Sequence, residues 1–110
     1  MGLTVDSGWE KFYTAMRYAV ATNDAVQLRL ANVVTCFVLL DRGHFPDDDD
    51  WEMFQKLKAE TTKVPDRVRN GKGTIRVTTS QMSDDEAHAL LCMAFDIFNS
   101  LAEAHGALNA

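Results

Sequence analysis

Residues 83 to 105 constrain the fold more than any other part of the chain. Ser83-Asp84-Asp85-Glu86 is a capping box, in which a serine oxygen takes the amide of the residue three places on while the glutamate returns to the serine amide. Ala87, Leu90, Leu91, Ala94, Phe98, Leu101 and Ala102 then follow at i, i+3, i+4, i+7 spacing, and Gly106 is placed as the terminator. A long amphipathic helix must cover its apolar stripe against other elements of similar length, so the remaining chain is expected to be mostly helical.

The other segments agree. Ser7-Gly8-Trp9-Glu10 repeats the capping-box pattern ahead of an apolar stripe of Trp9, Phe12, Tyr13, Met16 and Val20, and Thr22-Asn23-Asp24 closes that helix and caps the next. From Ala25 to about Arg42, a stripe of Val26, Leu30, Val33, Phe37 and Leu40 is widened almost all round by Leu28, Val34, Val38 and Leu39. A helix apolar on nearly every side is central in its domain or covered by another subunit. Gly43 and His44-Phe45-Pro46 turn the chain.

Asp47 to Asp50 begin a third helix, whose buried face is Trp51, Phe54, Leu57 and Thr61 or Lys58, with Phe45 stapled onto Trp51 or Met53. It should fade near Lys63, because Pro65 disfavours helical geometry at Val64. Residues 74 to 81 alternate β-branched side chains as a strand does, but a strand without a partner is unstable; Ile75, Thr78, Thr79 and Met82 fit a short helix, the preferred reading. The expected architecture is all-α: one domain over residues 1 to 110, an antiparallel four-helix bundle with a short extra helical turn before the last helix. A chain of 110 residues, 46% hydrophobic, can build such a core without disulfides.

Net charge is −5, but its distribution is uneven. Residues 1 to 62 carry six Lys or Arg against ten Asp or Glu, residues 63 to 82 five against one, and residues 83 to 110 none against five. Lys63, Arg67, Arg69, Lys72 and Arg76 are therefore candidate contacts for phosphate or nucleic acid, with Gly71 and Gly73 letting the backbone approach an anion. Against this stand the absence of a phosphate-loop motif, the acidic remainder of the chain and the lack of aromatics between Phe54 and Phe95 to stack on bases. The simpler expectation is a basic loop neutralised by the acidic helix starts.

Chemical constellations are not evident. The four aspartates lack the spacing, glycine and distal glutamate of an EF-hand and point different ways on a helix. Asp84 with His88 is too few ligands for a metal site, and an enzyme using His88 with Asp84 and Asp85 is the weakest reading. His44, His88 and His105 are scattered, with His105 suited to a helix C-terminus. Neither a nucleophile elbow nor the Arg-and-His spacing of small helical ribonucleases occurs. Cys36 and Cys92, each in an apolar stretch, read as buried thiols of an intracellular protein. No cofactor is implied. The start of the chain has no secretory signal and no apolar run spans a membrane, so a cytoplasmic location is expected.

The segments Gln27-Leu28-Arg29-Leu30-Ala31, Phe45-Pro46, Gly73-Thr74-Ile75 with Thr78, and Met82 to Ala87 resemble, in this order, a group of small uncharacterised all-helical bacterial proteins of about this length. The resemblance covers residues 27 to about 101 and implies a bacterial origin and helix at 74 to 81. It brings no activity with it. Lys72 stands where that group has an acidic residue. The surplus of apolar side chains on the second and last helices makes Leu28, Val34, Val38, Leu39, Met93 and Phe95 the candidate interface. The expected function is thus non-enzymatic protein–protein interaction including a homodimer, with anion or nucleic-acid binding as the alternative.

Overall fold

A computed structural model describes residues 2 to 67 and 73 to 108, with side chains for 5 to 67 and 73 to 106; Arg69 and Lys72 lie outside the described residues. In chain order the elements are α1 (Gly2–Ala21), α2 (Val26–Phe37), a 3₁₀ turn (Arg42–His44), α3 (Asp48–Thr61), α4 (Gly73–Ser80) and α5 (Asp84–Leu108). Strands are absent among the described residues, so the chain is all-helical.

Four phenylalanines from different segments organise the core. Phe12 of α1 stacks on Phe37 of α2, with ring centroids 3.9 Å apart, and Phe54 of α3 meets both rings edge-on. Phe45 closes the group against Phe54 and Trp51, which is the anticipated staple at the start of α3. Leu30, Val33, Leu57, Ala94, Ile97 and Leu101 extend this single buried cluster, which draws on α1, α2, α3 and α5. α2 packs against all four other helices and is the central element.

Several expected boundaries move, each for a local reason. α1 does not start at Ser7 but runs through it from Gly2. The buried Gly8 lies against the 3₁₀ turn, where a Cβ would come within 2.7 Å of the His44 carbonyl oxygen. Asp24 does not cap α2, whose N-cap is Ala25 without a side-chain bond. Its carboxylate instead accepts from the Tyr18 hydroxyl (2.9 Å), which in turn accepts from the Asn32 amide (2.6 Å), tying α1 to α2 across their turn.

α2 ends at Phe37, not near Arg42, because the Leu40 amide closes a tight turn onto the Phe37 carbonyl and Asp41 caps the 3₁₀ turn through the Gly43 amide. Val38 and Leu39 thus belong to a turn, and the all-round apolar character of α2 shrinks accordingly. α5 continues through Gly106 to Leu108. Its last turns are fastened to α1 by a 2.6 Å bond between His105 Nδ1 and Asp6 Oδ1 and by His105 stacking on Trp9.

α4 is helical despite its β-branched sequence. Thr78 and Thr79 are buried with their hydroxyls satisfied: Thr78 donates to the Thr74 carbonyl and accepts from the Val64 amide, and Thr79 donates to the Arg76 carbonyl. Burial against α2 and α3 outweighs the strand propensity of the segment. Gly73, at φ +80°, occupies a backbone region that favours glycine.

Candidate functional site

The six candidate interface residues separate on folding. Leu39 (92% exposed) and Phe95 (53%) face solvent, whereas Leu28, Val38 and Met93 are half-buried. Val34 is a correction: it is 1% exposed and belongs to the core, because the face of α2 that carries it is already covered within the chain.

Phe95 belongs to a longer feature. His105 stacks on Trp9 (4.1 Å between centroids), Trp9 on Tyr13 (5.0 Å), Tyr13 meets Phe98 (6.4 Å) and Phe98 meets Phe95 (6.1 Å). The result is a row of five rings along the outer seam of α1 and α5, with the Arg17 guanidinium over Tyr13 at 5.8 Å. The helical spacing of Trp9 and Tyr13 predicts an inward stripe; Trp9 is half-buried against the core, whereas Tyr13 is exposed.

The opposite flank of α5 borders a groove of about 480 Å³ shared with α3. Met53, Ala89, Cys92 and Met93 form its apolar part, Asp49, Glu52 and Asp96 its acidic part, and Lys56 lines it as well. Cys92 is exposed here, contrary to the expected buried thiol, because it lies on this flank and not on the Ala87, Ala94, Ile97 and Leu101 face. Cys36 is half-buried, and burial pushes its thiol pKa up, opposed by Lys11.

The four consecutive aspartates have four different surroundings. Asp47 caps α3 by accepting from the Asp50 amide (2.9 Å), Asp48 accepts from Arg42 (2.8 Å), Asp49 lines the groove, and Asp50 is buried. Asp50 accepts from the Ser100 hydroxyl at 2.6 Å, joining α3 to α5. Burial raises the pKa of its carboxyl, the Ser100 bond opposes that rise, and neighbouring Asp47 and Asp49 add to it. Asp50 shares a helical stripe with Phe54, Leu57 and Thr61, and that phase is the signal that singles it out from its three neighbours.

Of the basic residues, Lys63, Arg67 and Arg76 are exposed. Lys63, two residues beyond α3, lies 3.6 Å from Glu60 in the last turn of that helix, and Arg76 borders a hollow of about 290 Å³ between α2 and α4 that Leu28 also lines. The Gly73 amide, offered as an anion contact, donates to the chain's own Asp66 carboxylate at 3.0 Å.

His88 borders a polar hollow with Asp24, Arg29, Asp84 and Asp85, but Asp24 is held by Tyr18 and Asp84 by the Gln27 amide (2.8 Å). Among the described residues no three His, Cys, Asp or Glu side chains converge as a metal site would require. No described helix is long and apolar enough to cross a membrane.

No family model, curated protein or solved structure matches the chain. Its own surface must therefore carry the functional reading.

Proposed function

We propose that this protein is a non-enzymatic interaction module that works through protein–protein contacts and pairs with a copy of itself. The observation that carries this reading is the row of rings on the α1–α5 seam, which leaves Tyr13 exposed beneath the Arg17 guanidinium and Phe95 exposed at one end of the row. Aromatic side chains and arginine are enriched in interfaces, where rings bring large area at small conformational cost. A two-fold pairing of this seam would cover Phe95 and Tyr13 with their own images. In this reading α1, α2, α3 and α5 form an antiparallel four-helix bundle with α4 as the short extra helix. The chain would act in a bacterial cytoplasm, in keeping with the small all-helical bacterial proteins it resembles.

Size-exclusion chromatography with light scattering at micromolar concentration tests the pairing. A dimer is expected, and Tyr13→Glu combined with Phe95→Glu should convert it to a monomer, since a buried unpaired charge at an interface costs several kcal/mol, of order 2 to 5. A strict monomer for the unaltered chain removes the self-association reading.

The second reading, anion or nucleic-acid binding through Lys63, Arg67 and Arg76 together with Arg69 and Lys72, draws support from the exposure of the three described side chains. It is weakened by Asp66, which already holds the Gly73 amide. Retention on immobilised nucleic acid that falls steeply with salt would favour it; no retention at low salt would dismiss it.

A further inference from the structure

The groove between α3 and α5 differs in kind from the aromatic seam. Three carboxylates and one ammonium border it, and α5 carries five Asp or Glu but no Lys or Arg that would offset them. Lys63, farther along the α3 side, is 3.6 Å from Glu60. The apolar part is half methionine, an unbranched and polarizable side chain that adapts to partners of varied shape. An acid-bordered, methionine-containing groove attracts a ligand with the opposite charge and a matching apolar face.

The walls choose the form of that ligand. Both are helices, and with no strand among the described residues there is no sheet edge to extend. The space between two helices is filled by the side-chain ridge of a third. Asp49 and Lys56 are seven positions apart, about 10 Å along the helix, which matches about two turns of a guest. A second copy of this chain, paired through the same groove, would set Asp49, Glu52 and Asp96 near their own images, and like charges at an interface are repulsive.

We infer that the α3–α5 groove docks about two turns of a cationic amphipathic helix from a partner protein. Its apolar side chains seat on Met53, Cys92 and Met93, and its Lys or Arg residues face Asp49, Glu52 and Asp96. This deepens the protein–protein reading above by naming the chemistry of one partner, and it uses the flank of α5 that the aromatic seam leaves open.

Cys92 supplies a reporter inside the groove, with half-buried Cys36 as the internal reference. The probe is a synthetic amphipathic helical peptide of Leu, Lys and Ala, compared with a scrambled peptide of the same composition. The readout is the rate of N-ethylmaleimide addition at each cysteine, resolved by peptide mass. At a probe concentration that fills most of the sites, the helical peptide is expected to slow addition at Cys92 by at least about threefold and to leave Cys36 unchanged. The protection should weaken as salt rises and be lost in the double variant Glu52→Lys, Asp96→Lys, both exposed positions whose change should leave thermal unfolding close to the unaltered chain.

No protection, equal protection by the scrambled peptide, or protection undiminished in the double variant would overturn the inference. The oligomeric state of that variant separates this failure from failure of the self-association reading. A variant that remains dimeric while losing protection supports the groove as a distinct site. A variant that turns monomeric identifies a second copy as the occupant and overturns the cationic helix. Protection of Cys92 in a chain that is monomeric throughout keeps the groove and removes the dimer.

Discussion

Ser7-Gly8-Trp9-Glu10 and Ser83-Asp84-Asp85-Glu86 share one pattern, yet α5 begins at the second while α1 runs through the first. At Ser83 the reciprocal bonds form: the Glu86 amide donates to Ser83 Oγ at 3.1 Å, and the Ser83 amide to Glu86 at 3.3 Å. The chain enters that site from a turn, in which the Gln81 and Met82 amides bond to Thr78 and Thr79, so the first amides of α5 need a side-chain acceptor. Three acidic residues in its first turn complement the helix dipole, whereas the first turn of α1 has none. At Ser7 tertiary contacts rule instead. Asp6, one residue before the serine, bonds to His105, Trp9 stacks on the same imidazole, and Gly8 is pressed onto the 3₁₀ turn. A capping box contributes about 1 kcal/mol, less than a set of packed and bonded contacts on both sides of the same residues.

If α1 is held by packing and not by a cap, removing its main packing group should do the greatest damage. Phe12→Ala opens the stack on Phe37 and the edges of Phe45 and Phe54, and a loss of about 3 to 5 kcal/mol is expected in urea unfolding. A loss under about 1 kcal/mol would mean that α1 is not docked as described. Gly8→Ala is the finer probe, because two effects of opposite sign meet there. Alanine in a helix interior gains about 1 kcal/mol over glycine, while a Cβ at 2.7 Å from the His44 carbonyl forces a backbone shift that costs about 1 to 3 kcal/mol. Net destabilisation is expected; stabilisation by the propensity gain alone would show that α1 and the 3₁₀ turn do not need their close approach.

The two serine sites also show where the sequence was legible. Helices carried by a long apolar period with a cap could be read directly: α5 from Ser83, α3 from Asp47, and the Phe45 staple on Trp51. The short helix over residues 74 to 81 could be reached by asking what partner a strand would have. What could not be read depended on residues far apart in the chain. The Asp6–His105 and Asp50–Ser100 bonds join positions 99 and 50 residues apart, and neither pair carries a local pattern. Gly106 looks like a terminator, but the neighbouring His105 is fastened to α1 and the helix passes through it.

The candidate surfaces were legible in the same uneven way. An excess of apolar side chains on α5 is visible in the sequence and singles out Met93 and Phe95. That they lie on two different flanks, one among rings and one among carboxylates, follows only once α1 and α3 are packed on either side. On α2 the same counting puts Val34 on the outside, although neighbouring helices cover it, and carries the helix over Val38 and Leu39, which form the turn after Phe37.

The smallest effect makes the sharpest test of the comparison, because one substitution is made twice. Glu86→Ala removes the carboxylate that accepts from the Ser83 amide and one of the three acidic charges at the start of α5, so about 1 kcal/mol should be lost. Glu10→Ala places the best helix former at an exposed interior position of α1, where the change should stay within about 0.5 kcal/mol of zero. Parallel urea titrations of the two variants measure the difference directly. Equal losses at both sites would mean that the helix of α1 starts at Ser7 in solution, which would detach Asp6 from the helical turn that presents it to His105 and undo the argument that this contact outweighs a cap.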